Sequence, residues 1–367
     1  MHVDNRSGLG ITVLARITMK LLIQPDHGIG PLLKGIKGAK KSIDILIFRM
    51  DWKELESALK TASAKGVAVR ALIAHTNRGG EPKLRDLETR FLEAGITVGR
   101  TANDLTRYHG KMMIVDRQTL FLLSFNFAHM DIDHSRGFGI VTKTTKVVQE
   151  AVKLFEADLS RQTYTAGLDA FIVSPANARK QLSAFIKQAR KQLLIYDTKI
   201  ADKEFLRLLE GHARAGLDIK IIGSTTARNG NLPVTPLTTM RLHTRTIIRD
   251  GKQAFVGSQS LRPMELDSRR EIGIVVRDSK VVKTLIGTFE KDWKATGFDE
   301  ARDAPKADAM TEMEPLKETL KKAIKQAVTE AGHEVEADGD LKAIVKEVAK
   351  KAVKEAVREM ADEAAGA

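Results

Sequence analysis

Cysteine is absent from all 367 residues. Disulfides, thiolate nucleophiles, iron–sulfur clusters and cysteine-ligated zinc are therefore excluded, and the redox compartment stays open. Long hydrophobic runs are missing as well. No stretch of about 20 apolar residues occurs, and the N-terminus shows no apolar core leading to a small-residue cleavage pattern. An integral membrane protein and a classically secreted one are both disfavoured, so the expectation is a cytoplasmic protein, at most peripheral to a membrane. Aromatic residues make up only 5% of the chain, which leaves few stacking platforms for a single-stranded nucleic acid. No zinc finger or other nucleic-acid module is visible.

What is present describes a globular protein with a sizeable core: 43% hydrophobic and 29% charged residues. The net charge of +13 is unevenly spread. Residues 1–300 carry 48 Lys and Arg against 32 Asp and Glu, whereas residues 301–367 carry 12 against 15. The basic character belongs to the large N-terminal part, where it favours phosphates or an anionic lipid surface.

Two regions alternate apolar β-branched runs with amphipathic stretches, the pattern of α/β units. In the first, strands are predicted at Ser42–Phe48, Val67–Ala74, Ile96–Val98, Met112–Val115, Leu120–Leu123 and Phe138–Val141. Helices are predicted at Glu54–Ala64, Pro82–Ala94 and Thr144–Leu159. The second region repeats the order from Phe171 to Trp293, at an offset near 150 for its opening strands and 134 for later elements. The shortfall falls where a counterpart of the Pro82–Ala94 helix belongs; Thr225–Thr239, rich in Thr, Asn, Gly and Pro, reads there as a loop. Beyond residue 300, Leu316, Leu320, Ile324 and Val328, then Leu341, Ile344, Val345 and Val348, fall at helical spacing. The expected fold is α/β: two similar α/β/α halves with mixed, mostly parallel sheets about a pseudo-twofold axis. The halves span residues 1–165 and 166–300, and a helical hairpin follows over 301–367, packing on the body or joining copies of the chain into an oligomer.

The strongest signal is a composite repeat. Tyr108-His-Gly-Lys-Met-Met-Ile-Val-Asp116 leads to Ser124-Phe-Asn126, and Leu242-His-Thr-Arg-Thr-Ile-Ile-Arg-Asp250 leads to Ser258-Gln-Ser260. Ser135-Arg-Gly-Phe-Gly-Ile-Val141 then mirrors Arg269-Arg-Glu-Ile-Gly-Ile-Val275. On an extended strand, residues i and i+2 face one side. His109 can thus share a pocket with Lys111, and His243 with Arg245. Two imidazoles and two cations suit phosphoryl transfer: one neutral imidazole attacks phosphorus, the other protonates the leaving oxygen, and Lys111 and Arg245 stabilise the non-bridging oxygens. Ser124, Asn126, Ser258 and Ser260 offer hydrogen bonds to phosphate, while Asp116 and Asp250 suit turn-holding or pairing with cations. A metal fits poorly, since Lys and Arg would set two positive charges beside it. No metal or cofactor is expected.

These residues resemble the phospholipase D superfamily, whose signature is His-x-Lys-x4-Asp followed by x6-Gly-Ser-x-Asn. The resemblance covers residues 20–297, with two copies in one chain. It implies phosphodiester cleavage or transfer through a phosphohistidine. Leu123 replaces the signature glycine in the first copy; Arg245 replaces lysine and Ser260 replaces asparagine in the second. The family often places an acidic residue after the motif to orient a catalytic histidine. Glu271 lies at that place in the second half, and Gly137 occupies it in the first, with Asp131 or Asp133 as substitutes and Asp133 the one chosen. The fuller phosphate set of the first copy makes His109 the expected nucleophile and His243 the general acid. The leading expectation for function is a metal-independent phosphodiesterase or phosphatidyltransferase acting on phospholipid at a membrane surface, reached through basic residues and exposed apolar loops such as Phe125–Met130. A nuclease acting on DNA or RNA is the first alternative, and a non-catalytic phosphate-binding scaffold the second.

Overall fold

The computed structural model describes residues 19–77, 80–227 and 232–303. The first half opens with β1 (Lys20–Gln24), α1 (Gly30–Gly38), β2 (Ser42–Ile47), α2 (Lys53–Ala64), β3 (Ala68–Ile73), α3 (Glu81–Glu93) and β4 (Thr97–Arg100). It continues through β5 (Arg107–Tyr108), β6 (Met112–Val115), β7 (Thr119–Leu123), α4 (His129–Asp133), β8 (Ser135–Thr142) and α5 (Thr145–Leu159). The second half runs β9 (Phe171–Val173), α6 (Ala178–Lys187), β10 (Gln192–Ile200), α7 (Lys203–Arg214), β11 (Asp218–Thr225) and β12 (Val234–Thr235). It goes on through β13 (Arg241–Leu242), β14 (Arg245–Arg249), β15 (Gln253–Gly257), α8 (Pro263–Asp267), β16 (Arg269–Arg270), β17 (Ile272–Val276) and α9 (Ser279–Ala295), and α10 (Phe298–Asp303) follows. The helices expected beyond residue 303 lie outside the described residues.

The strands assemble into two main sheets, ordered β1-β8-β7-β6-β2-β3-β4 and β12-β11-β10-β14-β15-β17-β9. Both are mixed, but not mostly parallel. Along these paths parallel pairing is confined to β2-β3-β4 and β10-β11-β12, and off the first path the short strand β13 adds a parallel pair on β8. The remaining neighbours on these paths are antiparallel, and tight hairpins join two of those pairs, β6 with β7 and β14 with β15.

Those hairpins explain the two motif aspartates. Asp116 and Asp250 both sit in the left-handed region, at φ 54°, at the start of three-residue turns. From there Asp116 accepts the backbone N–H groups of Lys40, Lys41 and Ser42, at 2.7–3.0 Å. Asp250 does the same for Arg190, Lys191 and Gln192, at 2.7–3.1 Å. Short polar side chains tolerate this backbone conformation and satisfy orphan donors. Each aspartate therefore ties a hairpin to the strand beside it, one per half, and neither reaches the site.

Alternation along the strands sorts the core. Ile43, Ile45 and Ile47 of β2 point to an outer layer with Leu32 of α1, Leu55 and Leu59 of α2 and Phe91 of α3. Leu46, Met112 and Ile114 point the other way, into a central layer shared with Tyr196, Ile248, Val256 and Ile274 of the second half and flanked by α5 and α9. A third layer covers the outer face of the second sheet with α6 and α7. Among the described residues no second-half helix corresponds to α3; β12 pairs directly on β11 instead. The Phe125–Met130 stretch is largely core, since Phe125 and Phe127 are fully buried and only its end emerges.

Candidate active site

The site forms where each half lends a short strand to the other. β5 pairs in parallel with β16, matching Arg107 to Arg269 and Tyr108 to Arg270. β13 pairs in parallel with β8, matching Arg241 to Ser135 and Leu242 to Arg136. The chain then leaves both ribbons alike: His109 N–H donates to the Arg270 carbonyl at 2.7 Å, and His243 N–H to the Arg136 carbonyl at 3.0 Å. Every residue here meets its counterpart at the 134-residue offset, so the ribbons are related by the pseudo-twofold expected from the repeat. Two buried ion pairs lock them from behind. Arg136 binds Asp292 of α9 at 2.8 and 2.9 Å, and Arg270 pairs with Asp158 of α5 at 3.0 Å.

His109, Gly110 and Lys111 lie between β5 and β6 rather than on one continuous strand, yet the two functional side chains meet. Lys111 Nζ lies 2.8 Å from His109 Nε2 and 2.6 Å from the His109 carbonyl. Gly110 is required here, since a Cβ would fall 2.4 Å from Ile272 of the second half. On the other ring nitrogen, His109 Nδ1 lies 2.8 Å from Glu271 Oε2. An ammonium can only donate, so Nε2 accepts and the ring proton sits on Nδ1, facing the carboxylate. Phe48 closes one side, edge-on to the His109 ring at 4.4 Å.

The second copy is built differently. His243 Nδ1 is 3.3 Å from Asp131 Oδ2, a charge contact without an aligned hydrogen bond. Asp131 is held by the Asn126 backbone N–H at 2.9 Å, the Asn126 side-chain amide at 2.5 Å and Arg241 at 2.6 Å. Arg245 reaches the His243 carbonyl at 3.0 Å and Ser260 Oγ at 3.0 Å. Ser260 Oγ, besides accepting from Arg245, shares a hydrogen bond with Thr198 Oγ1 at 3.2 Å.

Glu271 thus faces His109, across the halves, and not the histidine of its own motif. Asp131 takes the corresponding place toward His243. Asp133, the residue expected there, points outward to His129 at 3.2 Å, because two residues along α4, about 200° of turn, carry it to the opposite face from Asp131. Position 137 cannot supply a carboxylate: Phe125 would lie 2.9 Å from any Cβ added there. Ser124 and Ser258, expected on phosphate, are fully buried and accept the backbone N–H groups of Phe138 and Ile272 at 2.9 and 3.1 Å. They pin the post-motif loops to β8 and β17. Asn126, besides holding Asp131, keeps a buried side-chain oxygen without a partner.

Glu265 was not anticipated. It is the repeat counterpart of Asp131, accepts the Ser260 backbone N–H at 2.7 Å, and binds Arg262 and Arg269. The 134-residue offset applied to Asp131 would have found it; the chemical difference between Asp and Glu hid the match.

Burial sets the electrostatics. It lowers the His109 imidazole well below the ordinary histidine value, and Lys111 and Arg245 lower it further. His243 is lowered well below the same value by burial, against the pull of Asp131 and with help from Arg245 and Lys111. Burial also brings Lys111 down to about 7, opposed by Glu271, and raises Glu271. The charge of Arg245 bears on His109 and that of Lys111 on His243, so each copy's cation reaches the other copy's histidine. With both imidazoles neutral, one can serve as nucleophile once a phosphate draws Lys111 away. No group of His, Asp and Glu able to hold a metal ion occurs among the described residues.

Two neutral histidines flanked by Lys and Arg at a pseudo-twofold are an arrangement able to support phosphoryl transfer. The family profile described as cardiolipin synthase, phospholipase D-like domain, matches residues 32–159 and 182–293, and the chain belongs to that family. Phosphodiester chemistry is the common ground of the class. No curated protein matches the chain. Among solved structures, polyphosphate kinase from Porphyromonas gingivalis is similar over 75% of this chain and 50% of its own, with 18% identity and a TM-score of 0.64. This chain therefore spans about half the length of that kinase. Phosphatidylserine synthase from Haemophilus influenzae is similar over 75% of this chain and 85% of its own, with 11% identity and a TM-score of 0.57. Both likenesses concern the fold. No helix among the described residues is long and apolar enough to cross a membrane.

Proposed function

We propose that the protein is a metal-independent phosphodiesterase or phosphatidyltransferase that acts on phospholipids through a phosphohistidine at His109. The observation behind this reading is the 2.8 Å contact between His109 Nδ1 and Glu271, which leaves the Nε2 lone pair, met by Lys111 at 2.8 Å, as the nucleophile. The Nε2 lone pair forms the N–P bond as the P–O bond to the leaving alcohol breaks, and His243 gives its proton to that oxygen. Bound phosphate is what brings the proton to His243, since an anion raises an imidazole otherwise held neutral. Lys111 moves from Nε2 to a non-bridging oxygen, and Arg245 takes another. Water or an acceptor alcohol then gives its proton to His243, attacks phosphorus and breaks the N–P bond, restoring His109.

Lipid is favoured because the histidines are only 8% and 7% exposed. A headgroup phosphate on a flexible glycerol can enter such a recess more readily than a stiff duplex backbone. The family description agrees with this choice. The nuclease reading draws on one observation, the excess of 48 basic over 32 acidic residues in residues 1–300. An assay in chelator on phosphatidylglycerol, phosphatidylcholine, single-stranded DNA, duplex DNA and RNA decides between them. Turnover of a phospholipid, with a phosphoryl adduct lost in His109→Ala, is expected. Cleavage of nucleic acid alone would replace the lipid reading with the nuclease one.

A further inference from the structure

Most large apolar side chains are buried, and among the described residues three stand well out: Leu92, Met130 and Met264, at 59%, 55% and 50% exposure. Met130 and Met264 are repeat counterparts, 134 positions apart, on α4 and α8. Each immediately precedes a site carboxylate: Asp131, which touches His243, and Glu265, which acts on His109. The two methionines therefore flank the recess from both sides of the pseudo-twofold. Exposed cations share this rim. Arg241, bound to Asp131, keeps 46% of its side chain exposed, and Arg262, bound to Glu265, keeps 34%. Arg49 is exposed beside Phe48, and Trp52 stacks on exposed His129 at 3.7 Å next to Met130.

We propose that this rim seats the protein on an anionic lipid surface, with Met130 and Met264 entering its outer layer and the arginines meeting headgroup phosphates. The proposal rests on the lipid reading above and adds the surface that delivers the substrate. Methionine is unbranched and soft, suited to an irregular acyl boundary. Arginine beside apolar anchors and a tryptophan is the composition of a surface lying in the headgroup layer. A nucleic acid would answer the arginines but offer the methionines nothing to be buried in. Pairing of the methionines by the repeat also sets the recess facing the bilayer, since anchors on one side only would tilt it away.

The test compares the full chain with the double variant Met130→Gln, Met264→Gln, which keeps side-chain length. Co-sedimentation with vesicles of phosphatidylglycerol and phosphatidylcholine should weaken about tenfold or more in the variant. Hydrolysis of the small soluble diester bis(p-nitrophenyl) phosphate and the circular dichroism spectrum should stay unchanged. Equal vesicle binding by the variant would overturn the proposal, and so would a wild-type protein that ignores these vesicles while binding single-stranded DNA. Short-chain phosphatidylglycerol below its micelle concentration separates the two readings. If it is turned over while vesicle binding ignores the substitutions, the rim is wrong and the lipid reading stands. If binding depends on the methionines and no phospholipid is turned over in any form, the rim stands and the substrate class falls.

Discussion

The two copies of the motif share a backbone and differ in chemistry. In the first, Lys111 rests on the His109 ring itself, and Glu271 holds the opposite nitrogen at 2.8 Å. In the second, Arg245 is turned to a carbonyl and to Ser260, and Asp131 approaches His243 at 3.3 Å without an aligned hydrogen bond. Identical pairing of β5 with β16 and of β13 with β8 shows that duplication placed the groups. Side-chain differences then gave the two copies unlike surroundings. A histidine whose tautomer is fixed from both sides suits a nucleophile, whereas a more loosely held one suits a group that must gain and lose a proton in each cycle.

The largest effects should break the comparison outright. With bis(p-nitrophenyl) phosphate, whose leaving group needs no proton, His109→Ala should lower turnover by about 10³-fold or more and abolish the covalent adduct. His243→Ala should still form the adduct and accumulate it, because release by water lacks its base. Quench-flow labelling reads both, and adduct formation in His109→Ala with none in His243→Ala would exchange the roles.

The orienting carboxylates come next. Glu271→Gln should cost about a hundredfold in kcat, since the His109 tautomer is no longer enforced. Asp131→Asn should cost about tenfold, in keeping with its weaker contact. A larger loss from Asp131→Asn would mean that the tighter geometry around His109 is not what sets the rate.

Lys111 gives a pH signature of its own. Its ammonium is the form that stabilises transferred phosphate, and burial brings its value to about 7. Values of kcat/KM should therefore fall as pH rises through about 7, while His109, held lower, stays neutral throughout. Bound substrate adds negative charge, so the same limb in kcat should move to higher pH. In Lys111→Ala the rate should drop about 10²-fold and the limb should vanish; a profile in the wild type flat to pH 9 would contradict the assignment.

The smallest effects should be the symmetric ones. Asp116→Asn and Asp250→Asn should each destabilise by about 1–3 kcal/mol in urea unfolding, with kcat unchanged, because both hold turns. For both, burial raises the carboxyl, but the backbone N–H bonds outweigh it and hold the value below the usual 3.8. Their stabilisation is thus present above that value and is lost as pH falls through the depressed folded one. Unequal destabilisation would mean that the halves differ in more than their site chemistry.

Several features were legible from residue order because they depend on local rules. Apolar runs placed β2 and β6 within a residue of their bounds, and the doubled spacing of His109 and His243 pointed to the residues that meet at the candidate site. Elements of two residues, such as β5 and β16, escaped because their partners lie more than 100 positions away and no local periodicity marks them. The short helices α4 and α8 escaped for a similar reason: five residues hold little more than one turn.

Read alone, the residue order established a duplicated α/β chain and pointed to a pair of repeated histidine motifs, since strand periodicity and motif spacing are properties of neighbours along the backbone. Tertiary structure decided which carboxylate serves which histidine. Glu271 crosses to His109 because β16 lies beside β5, Asp131 rather than Asp133 reaches His243 because of the turn of α4, and Ser124 and Ser258 fasten loops because backbone donors reached them first. These choices depend on distances between the halves, and such distances exist only once the core has brought the two sheets together.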